Sequence, residues 1–103
     1  MRNYEIEERA PQTDLSKFID PELMDRSAPG WDARFAYTAE RYFLEYLKQR
    51  FGEDRFQDFT VRYIDNPDGY RNLFNEAFQL PFAEAIKQFA QAINTSQWPA
   101  IAK

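Results

Sequence analysis

The chain contains no cysteine and no histidine among its 103 residues. Without cysteine there is no disulfide framework, no thiol nucleophile and no thiolate metal site. Without histidine there is no serine-type triad, no HExxH zinc site and no imidazole switch near neutral pH. No run of apolar residues approaches the ~18 that suggest a membrane-spanning helix. The opening residues Met1-Arg2-Asn3-Tyr4-Glu5-Ile6-Glu7-Glu8 lack the apolar stretch and basic start of a signal peptide. No basic stripe can neutralise a row of phosphates, and a net charge of −4 opposes nucleic acid and anionic membranes alike. These absences remove most enzyme mechanisms and leave a binding role as the simplest expectation.

What is present is 44% hydrophobic and 29% charged, the balance of a globular domain, and the length suits one such domain. The negative charge is uneven. Residues 1–32 carry eight acidic and four basic groups, whereas residues 33–103 are balanced at nine each. The acidic third reads as a solvated surface, or as a docking segment for a basic partner.

From residue 31 onward the apolar residues fall at helical spacing. Asp32 is a candidate N-cap for a helix to about Phe51, with Phe35, Ala39, Tyr42/Phe43, Tyr46/Leu47 and Phe51 on its stripe and Gly52 closing it. Arg41 and Glu45 are spaced as a pair on its outer face. Phe56, Phe59, Thr60, Tyr63 and Ile64 share a face of a second helix, with Asp58 and Arg62 paired opposite. Asp65-Asn66-Pro67-Asp68-Gly69 is turn chemistry; an EF-hand frame fails there, because Pro67 holds the third position and Gly69 the fifth. Tyr70, Leu73, Phe74, Ala77 and Phe78 mark a third helix. Phe82, Ile86, Phe89, Ala90 and Ile93 mark a fourth, entered at Pro81 and ending near Asn94.

The first thirty residues carry weaker signals. Tyr4 and Ile6 alternate with polar residues as in a half-buried strand, and Asp20-Pro21-Glu22-Leu23-Met24 suits a short capped helical turn. The expected architecture is therefore all-α: an irregular, orthogonal bundle of about four helices over residues 31–94. An extended acidic arm with one short helix precedes it over residues 1–30, and a tail held or freed by Trp98 follows over residues 95–103. The expected core is Phe35, Phe43, Leu47, Phe51, Phe56, Phe59, Tyr63, Ile64, Leu73, Phe74, Phe78, Phe82, Ile86 and Phe89.

Aromatic residues make up 17% of the chain. The phenylalanines lie on the apolar stripes, but Tyr37, Tyr42 and Tyr46 cover more than one face of the long helix. With Trp31 and Trp98 they are the candidate interaction residues, since an apolar ring with a wet tip suits an interface. The seventeen acidic residues contain no pair that the sequence places in an apolar pocket, so no carboxylate acid–base site is expected. No metal ligand set and no cofactor motif is present. The expected function is a non-catalytic helical module for protein interaction or assembly. If Met1 is the native start, a cysteine-free chain fits the cytoplasm.

One resemblance bears on residues 31–93. Tyr37-Thr38-Ala39-Glu40-Arg41-Tyr42-Phe43-Leu44-Glu45-Tyr46-Leu47-Lys48-Gln49-Arg50-Phe51-Gly52 resembles the helix after the zinc site of gluzincin-type metallopeptidases. Phe59-Thr60-Val61-Arg62-Tyr63-Ile64 is similar to the end of the next helix in that lobe. Phe74-Asn75-Glu76-Ala77-Phe78 followed by Pro81-Phe82-Ala83-Glu84-Ala85 is similar to the lobe's ending. The resemblance implies that Tyr37 matches a tyrosine that reaches the metal and stabilises the tetrahedral intermediate in the aminopeptidase branch. That branch carries lysine and glycine soon after the tyrosine, where Ala39 and Glu40 stand here. The family's zinc-binding histidines and general-base glutamate would lie upstream. The alternative function is therefore a detached or degenerate C-terminal lobe of a gluzincin-like zinc peptidase, silent until an HExxH segment completes it.

Overall fold

The computed structural model describes residues 4–95 and Trp98, and among them the chain is all-α. Six α-helices follow one another: α1 (Tyr4–Arg9), α2 (Ser16–Ile19), α3 (Ala33–Phe51), α4 (Glu53–Asp65), α5 (Tyr70–Phe78) and α6 (Phe82–Asn94). Short 3-10 turns at Ala10–Gln12 and Pro67–Gly69 complete them.

The long helix α3 begins where the Asp32 side chain accepts hydrogen bonds from the backbone N–H groups of Arg34 (3.0 Å) and Phe35 (3.2 Å). Those bonds satisfy two donors that an uncapped helix leaves orphaned. They also hold the Asp32 carboxyl below its ordinary pKa, the Phe35 N–H most of all. The helix ends at Gly52, whose φ of 94° and ψ of 152° lie in a region essentially restricted to glycine. This one residue joins α3 to α4, so the geometry of their junction depends on it. At the other junction Gln79 takes a left-handed φ of 55° and its N–H closes α5 on Asn75.

The core is aromatic. Phe43 stands at its centre, with ring centroids 5.3 Å from Phe89, 5.9 Å from Phe82 and 6.4 Å from Phe74. Phe74 in turn meets Phe78 at 4.6 Å and Phe59 at 5.5 Å, so α3, α4, α5 and α6 interlock through edge-on, tilted and stacked rings. Of the expected core, Phe35, Phe43, Leu47, Phe74, Phe78, Ile86 and Phe89 are buried, and Phe51, Phe56, Phe59, Leu73 and Phe82 are half-buried.

Four expectations are corrected. Residues 4–9 form a helix rather than a strand, and the N-terminal third is not an extended arm. Its Ile6, Ala10, Leu15 and Ile19 are buried in the same core as the later helices. Arg9 fixes it further, with its guanidinium 3.8 Å above the Phe35 ring and 3.5 Å from Asp32. Second, residues 20–24 form a turn and not a helix: the backbone N–H groups of Leu23 and Met24 both reach the carbonyl of Asp20, which closes α2 instead of capping a new helix. Third, Tyr63 and Ile64 lie outside the core, Ile64 with 70% of its surface exposed. Fourth, Glu45 pairs with Lys48 at 3.1 Å rather than with Arg41, which donates to the Tyr37 hydroxyl.

The third correction follows from shape. The molecule measures 41 × 33 × 19 Å. Since packed helices lie about 8–10 Å axis to axis and the helix backbone has a radius of about 2.3 Å, 19 Å accommodates two layers of helices and falls short of the roughly 21 Å that three need. Helix α4 contacts α5 and α3, yet among the described residues none of its own is fully buried.

Candidate functional site

The five aromatic residues singled out by the sequence separate into two groups. Tyr42, Tyr46 and Trp98 are buried together. Trp98 lies edge-on to Tyr42 at 4.6 Å and to Tyr46 at 5.7 Å, and its indole N–H donates to Gln49 Oε1 at 2.7 Å. This cluster is part of the core, so the rings of Tyr42, Tyr46 and Trp98 are covered in the folded chain. The rest of the expected tail, at residues 96–97 and 99–103, lies outside the described residues. Trp31 is half-buried and stacks on Phe18 at 5.3 Å with the planes 8° apart. Tyr37 alone stands out from the surface, 60% exposed, with its hydroxyl accepting a hydrogen bond from Arg41 Nη1 at 3.2 Å. The structure brings Tyr42, Tyr46 and Trp98 together and leaves Tyr37 and Trp31 elsewhere.

A concavity forms where α4 leaves α3. It is an open groove of about 600 Å³, within the ~300–1,000 Å³ range of binding clefts. Its floor is apolar: Phe43, Leu47, Phe59, Phe74 and Phe82. One wall is the row Glu40, Leu44 and Lys48, three residues at successive turns of α3. The facing wall is Phe56, Thr60 and Tyr63 of α4. Leu44 is 41% exposed, and Val61 and Ile64 of α4 are exposed as well. Thr60, a wall residue, donates its hydroxyl back to the Phe56 carbonyl at 2.9 Å, which satisfies it within the helix.

The far end is held by a buried carboxylate. Asp20 is 0% exposed and accepts from the Tyr70 hydroxyl at 2.8 Å and from the Glu22 backbone N–H at 3.0 Å. Its other oxygen receives Arg71 Nη2, while Arg71 Nε donates to Glu22 Oε2 at 2.6 Å. No buried side-chain nitrogen or oxygen of this clasp lacks a hydrogen-bond partner, the condition under which a buried charge is tolerated. Burial, reinforced by the hydrogen bond to the Asp20 carboxylate, pushes the Tyr70 phenol up to about 12. The clasp ties the turn after α2 to the start of α5 and sets Ile19, Pro21 and Tyr70 at the groove's end.

The charges along the groove are not equivalent. Lys48 is bound to Glu45 and lies 5.4 Å from the centre of the Phe56 ring, and Arg41 is engaged by Tyr37. Glu40 has no side-chain hydrogen bond or ion pair among the described residues. Burial raises its pKa, and the charge of Arg26 offsets this only in part.

Sequence reasoning missed this site because it assigned α4's apolar face to the core. One signal was available: Leu44 sits between Glu40 and Lys48 on a row otherwise polar, which a fully solvated face does not need. Among the described residues no group of three or more acidic side chains is gathered as a metal site would require, and no helix is long and apolar enough to cross a membrane. No protein-family model, curated protein or solved structure matches the chain, so the groove and its residues are the ground on which function is argued.

Proposed function

We propose that the chain is a non-catalytic helical interaction module that docks another protein through the groove between α3 and α4. One observation carries this reading: α4 is thirteen residues long, has an aromatic inner face and buries none of its residues within the chain. An amphipathic helix normally hides its apolar stripe, because each buried side chain of this kind contributes about 1.5–3 kcal/mol. Leaving the stripe only half covered, with Phe56 and Phe59 half-buried and Tyr63 exposed, forgoes part of that stabilisation unless a partner supplies it. The floor is built of rings already fixed by core packing, so a partner meets a pre-formed surface and little ordering cost.

A peptide library displayed on phage and selected against the folded chain tests this. Selected peptides should perturb the amides of Leu44, Thr60 and Tyr63, and Leu44→Glu should abolish their binding while the far-UV spectrum is unchanged. Peptides that map to other surfaces, or that bind Leu44→Glu equally well, would contradict it.

A second reading, a silent gluzincin-like lobe, is favoured by the outward placement of Tyr37. It predicts that adding an upstream segment with HExxH yields zinc-dependent peptidase activity that Tyr37→Phe lowers.

A further inference from the structure

We infer that Tyr42, Tyr46, Phe89 and Gln49 form a cup for a tryptophan side chain, filled in the folded chain by its own Trp98, which withdraws without unfolding the helices. With Trp98 withdrawn, the cup is open to a tryptophan residue of another chain. The inference is independent of the α3–α4 groove. At about 100° per residue, Tyr42, Tyr46 and Gln49 face away from the row Glu40, Leu44 and Lys48.

The fit identifies the ring. Trp98 is only 8% exposed. Its indole stands edge-on to Tyr42 at 4.6 Å, to Tyr46 at 5.7 Å and to Phe89 at 5.8 Å, the arrangement that aromatic quadrupoles favour. At the exposed rim, Gln49 Oε1 accepts the indole N–H at 2.7 Å. A phenylalanine in the same place would leave that acceptor without its donor and would fill less of the cup. The backbone N–H of Trp98 is tied as well, to the Ala92 carbonyl at 3.2 Å, one of the acceptors that the end of α6 leaves free. What is recognised is therefore a tryptophan within a polypeptide rather than a bare ring.

The cup does not need Trp98 to keep its shape. Phe89 lies 5.3 Å from Tyr46 and 6.4 Å from Tyr42, and Phe43 packs on Phe89 at 5.3 Å, so α6 is seated on α3 by rings other than the indole. The Tyr46 hydroxyl is held separately, accepting from Arg50 Nη1 at 2.6 Å. Trp98 itself stands outside any helix, past the end of α6 at Asn94, so no helical hydrogen bonds hold it. Withdrawing it breaks the indole's ring contacts and its two hydrogen bonds, whereas unfolding breaks the whole aromatic core. A non-helical segment held by one side chain opens at lower free energy than the core it touches. A ligand for the cup then competes with the chain's own ring, and its apparent affinity falls in proportion to the open fraction.

Hydrogen exchange of the isotope-labelled full chain tests the withdrawal. The Trp98 indole N–H should be protected at least about a hundredfold less than the Phe43 amide, with a shallower dependence on urea. Equal protection with an equal urea slope would mean that the indole leaves only when the whole chain unfolds, and would overturn the inference. Trp98→Ala tests the cup, with N-acetyltryptophanamide and its naphthylalanine counterpart, which lacks the N–H, as probes. The tryptophan probe should shift the amides of Tyr42, Tyr46 and Phe89 in Trp98→Ala and bind the parent at least about tenfold more weakly, because the parent's cup is filled. The naphthyl probe should bind Trp98→Ala about fivefold more weakly than the tryptophan probe, the worth of one hydrogen bond, and adding Gln49→Ala should remove that difference. No shift at the cup, equal binding to parent and variant, or a preference for the indole that survives Gln49→Ala would each overturn the assignment. So would loss of the helical far-UV spectrum in Trp98→Ala, which would make the ring indispensable to the helices.

Discussion

Phe74 offers the sharpest test of the packing that supports the groove. Its side chain is fully buried, and its ring centroid lies 4.6 Å from Phe78, 5.0 Å from Phe82, 5.5 Å from Phe59 and 6.4 Å from Phe43. Truncation to alanine removes a ring whose burial is worth about 1.5–3 kcal/mol and breaks four ring contacts, the closest worth about 0.5–1.5 kcal/mol each. Phe74 also forms groove floor, so water can enter the hole and relieve part of the cavity cost. The loss should fall at about 3–5 kcal/mol, the usual range for a buried phenylalanine. With a urea slope of about 1–3 kcal/mol/M, the unfolding midpoint should drop by roughly 2 M. Equilibrium urea unfolding followed by far-UV circular dichroism reads this directly. Ile64→Ala is the matched control: a residue the sequence also assigned to the core but 70% exposed, whose truncation should cost under about 0.5 kcal/mol. A Phe74→Ala loss below about 1 kcal/mol, or an Ile64→Ala loss equal to it, would refute the two-layer packing.

Two further outcomes follow from particular residues. Tyr70 titrates at about 12 in the folded chain against about 10 unfolded, so its neutral form stabilises the fold fully below pH 10 and that contribution fades as pH rises through 12. Absorbance at 295 nm should show one late-titrating tyrosine, absent from Tyr70→Phe, and the variant should lose stability less steeply than the parent above pH 10; a titration with no late tyrosine counts against the Asp20 clasp. Gly52→Ala places a side chain at φ 94° in otherwise open space, so backbone strain alone should cost about 1–3 kcal/mol in urea unfolding; an unchanged midpoint would mean the α3–α4 junction adopts another geometry.

The parts of the fold legible in the sequence were those where many residues repeat one signal. Helix α3 declares itself through Asp32, a nineteen-residue stripe and Gly52, and α5 and α6 through phenylalanines at helical spacing flanking Pro81. The N-terminal helices were not legible for the opposite reason. Helix α1 has six residues and α2 four, too few for a period to emerge. Each is held in place by tertiary contact rather than by its own propensity. Helix α4 shows a third case. Its amphipathic period identified the apolar face, but a period says nothing about whether another layer covers that face. Burial of Tyr42 and Tyr46 was hidden likewise, because their cover, Trp98, comes from more than fifty residues away in sequence. The groove arises from the thinness of the assembled molecule, a property of the whole chain that no local pattern encodes.

The chain's lack of cysteine allows its central feature to be measured cleanly, by introducing single thiols on α3 and timing their modification under native conditions. Leu44→Cys, on the uncovered wall, should react at close to the rate of the urea-unfolded chain. Leu47→Cys, three residues on and 1% exposed, should be protected by about a hundredfold or more. Equal protection at both positions would mean that α4 closes over α3 and that no groove is there to receive a partner.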